Sequence, residues 1–196
     1  MWDDRYSQPG FAYGTEPNDF LRRYADRLPA GPVLCLAEGE GRNAVWLAAR
    51  GDLEVHAVDG SEVGVRKTHE LAAEHGVMVQ ATHADLADFS LGEGLWAGIV
   101  SIWCHLPAPL RRQVHAAVVR ALRPGGVLLL EAYTPRQLTF RTGGPPVLSM
   151  LFEPDEVREE LAGLELERFE ELEREVQEGA YHRGHSAVLQ VVGRKP

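Results

Sequence analysis

Short unbroken apolar runs alternate along this chain with stretches whose apolar residues recur every three to four positions. The runs predict strands at Val33 to Ala37, Glu54 to Val58, Val77 to His83, Leu95 to Trp103 and Val127 to Tyr133. Helices fit between them, from about 42 to 50, from Ser61 to about His75, and from Pro107 past Leu122. Ser61 reads as an N-cap, and Gly51 and Gly76 as helix stops. An earlier helix opens at Pro17, shows an apolar face of Phe20, Leu21, Tyr24 and Leu28, and breaks at Pro29-Ala30-Gly31-Pro32. Strands that alternate with helices are the pattern of a doubly wound parallel sheet.

The pattern changes after Pro124-Gly125-Gly126 turns the chain into the fifth strand. Residues 134 to 150 hold Gly143-Gly144-Pro145-Pro146 and read as a loop or lid. A short helix is expected over roughly 154 to 162. Extended stretches near 165 to 177 and 185 to 194 follow, too closely joined for a crossover, so they should pair as an antiparallel hairpin. Residues 1 to 16 are aromatic, glycine-rich and irregular.

Composition places the chain among ordinary globular domains, with 44% apolar and 25% charged residues. Its 196 residues suit a single domain, with residues 1 to 30 as an N-terminal arm and helix. The net charge of −9, from 29 acids and 20 bases, argues against a nucleic-acid partner, which needs concentrated Lys and Arg. No apolar run approaches a membrane span, and MWDDRYSQPG lacks the regions of a signal peptide, so a cytoplasmic monomer is expected. Cys35 and Cys104 sit in apolar contexts and read as buried, reduced thiols. No metal site is expected.

The chemistry starts where the first strand ends in Gly39-Glu40-Gly41 and a helix follows. A glycine turn between strand and helix lets a ligand approach the backbone. Asp59 lies 20 residues after Gly39 at the end of the second strand, where an acid can accept from both hydroxyls of a ribose. Gly39, Gly41 and Ala44 also fit the dinucleotide pattern, so an NAD or FAD site stands as an alternative. Glu38 and Glu40 would face a pyrophosphate badly and a cationic sulfonium far better.

With these features in order, the chain resembles the class I S-adenosylmethionine (SAM)-dependent methyltransferases, and within them the tellurite-resistance-type, thiopurine-methyltransferase-related branch. The resemblance rests on WDDRY (2–6), YGTEPNDFL (13–21), LCLAEGEGRN (34–43), AVDGS (57–61), ADL (84–86), IVSIWCHLP (99–107) and LRPGGVLLLEAYT (122–134). It implies a Rossmann-like, seven-stranded, mostly parallel α/β sheet whose last strand is antiparallel. It also implies that Ala37, Glu38, Gly39 and Gly41 wrap the methionine portion of SAM, with Ser101 nearby. Asp59 would hold the ribose, Gly60 and Ser61 would lie along the adenosine, and Asp85 and Leu86 would meet the adenine. Arg5, Tyr6 and Tyr13 would form a flap over the cofactor. The chain departs from the broad class at Cys35, where an acid is usual, and at Ala37, where the first glycine is usual.

The acceptor should lie at the C-terminal ends of the fourth and fifth strands. Trp103 and Tyr133 are the candidate substrate residues there. His105 and His182 are candidate bases, and Arg183 could orient an oxyanion or carboxylate. The expected reaction is methyl transfer from SAM, with S-adenosylhomocysteine as product, to a small molecule. A soft nucleophile such as a thiol or tellurite would need only positioning, whereas a hydroxyl would also need a base. A SAM- or nucleotide-binding sensor without turnover is the alternative from another class.

Overall fold

The computed structural model describes residues 1–196. Its strands are β1 (Gly31–Leu36), β2 (Leu53–Asp59), β3 (Gln80–His83), β4 (Trp96–Ile102), β5 (Leu122–Tyr133), β6 (Glu165–Glu178) and β7 (His182–Arg194). They form one sheet in the order β3-β2-β1-β4-β5-β7-β6. The first five are parallel, and β7 runs antiparallel between β5 and β6. This is the mostly parallel, seven-stranded Rossmann-like sheet with an antiparallel end that the sequence led us to expect.

Helices cover both faces because the central strands are apolar on both faces. Val33 and Cys35 of β1 pack with α2 (Asp19–Tyr24), α3 (Arg42–Ala48) and α4 (Glu62–Glu74). Leu34 and Leu36, one residue out of phase, pack with α5 (Ala108–Ala121) and α6 (Pro154–Glu160). Cys35 and Cys104 belong to opposite layers and are free thiols. Burial raises the pKa of both. Ser61 caps α4 by accepting from the Gly64 amide.

Several boundaries differ from the sequence reading. Residues 1 to 16 are not wholly irregular: Trp2–Tyr6 forms a short helix, α1. The helix expected from Pro17 begins at Asp19, because Asn18 caps it, and gives way to a 3-10 turn at Ala25–Arg27. The third strand begins at Gln80 rather than Val77, where its pairing with His56 of β2 starts. Both hairpin strands run further than expected, leaving only residues 179 to 181 as the turn. The 134–150 segment contains two 3-10 turns, Pro135–Thr139 and Leu148–Met150. No helix is long and apolar enough to cross a membrane.

Candidate active site

The turn after β1 is shaped by close packing. Gly39 and Gly41 have φ of 67° and 93°. A Cβ on Gly39 would stand 2.7 Å from the Tyr6 hydroxyl, and one on Gly41 would stand 2.8 Å from the Thr68 side chain of α4. Gly60, by contrast, faces open space. Ala37 holds φ of 48°, a left-handed conformation that costs a residue with a Cβ about 1–2 kcal/mol.

The two glutamates of the turn do not present free charge to the crevice, which corrects the expectation that both would face the cofactor. Oε1 of Glu38 accepts from the amides of Asn43 (2.9 Å) and Ala44 (2.8 Å) at the start of α3. That is the seat a pyrophosphate takes in a dinucleotide site. Burial nevertheless pushes the Glu38 carboxyl up to about 7, partly offset by those amides and by Arg42. Glu40 turns the other way, accepting from the Ala12 amide (2.7 Å) and pairing with Lys67 (2.8 Å). Asp59 ties the turn to β2, its two oxygens accepting from the Gly39 and Ser61 amides at 2.8 Å each. Burial raises its pKa against those two bonds.

The N-terminal arm lies on this turn. Tyr6 is buried over Gly39, stacks on Trp2 at 5.7 Å and meets Tyr13 edge-on at 6.5 Å. Arg5 donates to the Tyr13 hydroxyl (2.6 Å) and sits against the rings of Trp2 and Tyr181. Ser61 donates to Asp3 of the arm. At the other end of the crevice Asp85 is exposed. One of its oxygens accepts from the Ala87 amide, closing its own turn, and Leu86 is buried beneath. Ser101 is buried in β4 beside Leu36.

The ends of β4 and β5 carry an aromatic cluster. Trp103 has φ of 57° and stacks on Tyr133 at 4.3 Å. His105 stacks on the same tyrosine at 5.6 Å. The structure argues against His105 as a base. Its Nδ1 donates to the Met150 carbonyl (2.9 Å), and its Nε2 accepts from the Tyr133 amide (3.3 Å), so no lone pair is free. Burial lowers its pKa to about 4. His182 is different: it is buried 4.6 Å from the Tyr13 ring and 5.3 Å from Tyr133. Burial lowers its pKa against the pull of Glu178. Arg183 is not brought into this cluster; its side chain is exposed, and its amide donates to the Thr142 carbonyl.

Residues 33–126, from β1 into β5, match the family model described as "Methyltransferase domain". That match covers just under half of the chain and supports a methyltransferase. No curated protein matches the chain in sequence. Solved structures with the same fold include a protein of echinomycin biosynthesis, in which a disulfide bond becomes a thioacetal group. It has a TM-score of 0.76 at 20% identity, over 96% of this chain and 85% of that one. A SAM-dependent methyltransferase from Methanosarcina mazei aligns with a TM-score of 0.72 at 16% identity, over 92% and 98%. TehB from Haemophilus influenzae aligns with a TM-score of 0.73 at 20% identity, over 91% of this chain and 62% of that longer one.

A methyltransferase domain in a fold shared with a SAM-dependent methyltransferase supports SAM as the cofactor. The residues present fit it: Glu38 fills the α3 N-terminus where a phosphate would sit, and the Asp59 carboxylate lies at the end of β2. The methyltransferase also contains a buried polar network that the sequence reading missed. Glu178, at the end of β6, accepts from Asn18 (2.8 Å), Arg42 (2.5 Å) and Trp103 Nε1 (2.5 Å). Glu131 of β5, fully buried, accepts from Asn18 (2.7 Å), Gln190 (2.6 Å) and both Nε (2.9 Å) and Nη2 (2.7 Å) of Arg174. The network fastens Asn18, α3, Trp103 and the hairpin to one another. Glu131 interrupting the run Leu128-Leu129-Leu130 was the one signal of it in the sequence.

Proposed function

We propose that this methyltransferase moves a methyl group from SAM to a small molecule held between the ends of β4 and β5, the N-terminal arm and the hairpin turn. Glu38 filling the α3 N-terminus carries the reading, because it leaves the turn suited to a cofactor without phosphates. SAM supplies an electrophilic methyl group on a sulfonium. Asp59 holds the ribose; Ala37, Gly39 and Gly41 border the methionine portion; and Gly60, Ser61, Asp85 and Leu86 border the adenosine. Arg5, Tyr6 and Tyr13 keep water from the crevice, and Ser101 lines it. Trp103 and Tyr133 orient the acceptor, and the protein contributes chiefly proximity and a dry site.

A thiol or chalcogen oxyanion such as tellurite is a second reading of the acceptor, supported by the resemblance to the tellurite-resistance branch and the likeness to TehB. We further take the protein to be a cytoplasmic monomer that engages neither nucleic acid nor membrane, in keeping with its net charge of −9. Thermal unfolding with each ligand at 100 times its dissociation constant tests the cofactor reading, since selective binding there adds about 2.7 kcal/mol. SAM and S-adenosylhomocysteine should both raise the midpoint. Stabilisation by NADH and by neither of these would overturn it, and tight SAM binding with no methylated product from any thiol, oxyanion or hydroxyl would favour a sensor.

A further inference from the structure

Three buried side-chain polar atoms have no partner, the Tyr133 hydroxyl, Thr134 Oγ1 and His182 Nδ1, and the first and last belong to the aromatic cluster at the acceptor end. Both side chains are at least nine-tenths buried. Tyr133 is fixed between the rings of Trp103 and His105, so its hydroxyl cannot swing away. His182 Nδ1 faces the Glu178 carboxylate at 3.8 Å, too long for a hydrogen bond but close enough to bias the ring proton toward that side. Nε2 then carries the free lone pair.

The opposite edge of the His182 ring and the Tyr133 hydroxyl converge beneath one point of the chain. A Cβ built on Gly143 would lie 3.0 Å from His182 Cδ2 and 2.9 Å from the Tyr133 hydroxyl. Gly144 presses equally closely on the Tyr133 ring. Only glycines, at φ of 155° and 81°, could cross these two side chains so closely. The crossing therefore covers the Tyr133 hydroxyl without satisfying it and closes over the Nε2–Cδ2 edge of His182, away from Nδ1.

The surroundings are aromatic and apolar. Tyr13, Trp103 and Tyr133 stand around His182, and Tyr181 stands against Tyr13. Six of the eight exposed large hydrophobic side chains in the protein, including Trp2, Leu138, Val147, Leu148 and Tyr181, lie in the arm, the 134–150 segment and the hairpin turn. A bare inorganic oxyanion has no use for such a rim, whereas an aromatic ring does.

We propose that Tyr133 and His182 form the polar end of a pocket for a phenol, an aromatic acceptor bearing a hydroxyl, reached when Gly143 and Gly144 lift. This rests on the methyltransferase reading above and assigns its acceptor class. The Tyr133 hydroxyl donates to the phenol oxygen, and His182 Nε2 accepts its proton, as suits an imidazole that burial keeps neutral near pH 7. The oxygen bonds to the methyl carbon as its proton passes to His182, and the electron pair of the broken carbon–sulfur bond stays on sulfur. A thiolate, which arrives already deprotonated, would use neither group. Glu178 acts as a positioning residue that orients the imidazole.

Calorimetric titration of the full-length protein saturated with S-adenosylhomocysteine tests this. The probes are phenol, catechol, 2-naphthol, 2-naphthalenethiol, tellurite and 2-methoxynaphthalene, which lacks the hydroxyl proton. We expect at least one of the phenols to bind, with 2-naphthol about tenfold tighter than 2-methoxynaphthalene through its hydrogen bonds. Tyr133→Phe should remove most of that preference and leave S-adenosylhomocysteine affinity unchanged. With SAM in place of S-adenosylhomocysteine, His182→Ala should abolish the release of a methyl ether from 2-naphthol, and with S-adenosylhomocysteine it should not abolish 2-naphthol binding. If no phenol binds, if tellurite or the thiol alone binds, or if Tyr133→Phe leaves the preference intact, the phenol assignment is wrong. If S-adenosylhomocysteine itself does not bind, the failure belongs to the methyltransferase reading instead.

Discussion

Glu178→Gln measures the weight of the buried network. The carboxylate is 6% exposed and accepts from Asn18, Arg42 and Trp103. Glutamine keeps the shape but turns an N–H toward donors. Arg42, itself buried, is left with the Glu16 carbonyl at 3.2 Å. Breaking a buried ion pair from one side costs about 3–5 kcal/mol. A second route gives a similar figure. Burial alone would raise the Glu178 pKa, yet His182 and Arg42 hold it at about 2 against an ordinary 4.5. With His182 neutral and 3.8 Å away, only the Arg42 part of that depression acts at pH 7, so about 3 kcal/mol is its upper limit. Because the folded pKa is depressed, the contribution is present above about pH 4.5 and is lost as pH falls toward about 2. Urea unfolding reads both effects. With a slope of about 2 kcal/mol per molar, the midpoint should fall by about 1.5–2.5 M at pH 7. The gap between wild type and variant should narrow as pH drops through that window. Glu160, also held at about 2, affects both proteins alike and cancels in the difference. Adding Arg42→Met should recover part of the loss, since the stranded charge is gone. A gap under about 1 kcal/mol at pH 7, or one that does not change with pH, would refute the argument.

Three further outcomes are expected. Asp59→Ala should weaken SAM binding by more than tenfold, about 1.4 kcal/mol, by calorimetry, and unchanged affinity would remove Asp59 from the ribose. Ala37→Gly relieves a left-handed alanine and should leave thermal stability unchanged or raise it by up to about 1 kcal/mol; a loss of more than that would mean the alanine methyl is needed for packing. His105→Phe strands the Met150 carbonyl and the Tyr133 amide, so unfolding should show a loss of about 1–3 kcal/mol, with SAM affinity within about twofold of wild type; a stability change below about 0.5 kcal/mol would show those bonds to be unimportant.

Much of the architecture was legible because it follows from local periodicity. The five apolar runs, the Ser61 cap and the closely spaced final strands each depend on neighbours within a few residues. The parallel sheet and its antiparallel end follow from how such elements can connect. The glycine turn and the acid at the end of β2 were legible for the same reason. The weakest boundaries were those set by a partner strand or a distant cap, as at Gln80 and Asn18.

The roles of individual polar groups were decided elsewhere in the chain. Asn18 bonds to Glu131 and Glu178, 113 and 160 positions away, and neither spacing carries a pattern. Glu38 and Glu40 looked alike in sequence, yet one caps a helix and the other holds the arm and Lys67. His105 and His182 looked equally suited to take a proton. Packing gave His105 a partner at each nitrogen and left His182 beside a buried carboxylate beneath a glycine crossing. Periodicity fixes which face of an element is buried. Which buried group keeps a free lone pair depends on the atoms that tertiary folding brings within about 3 Å.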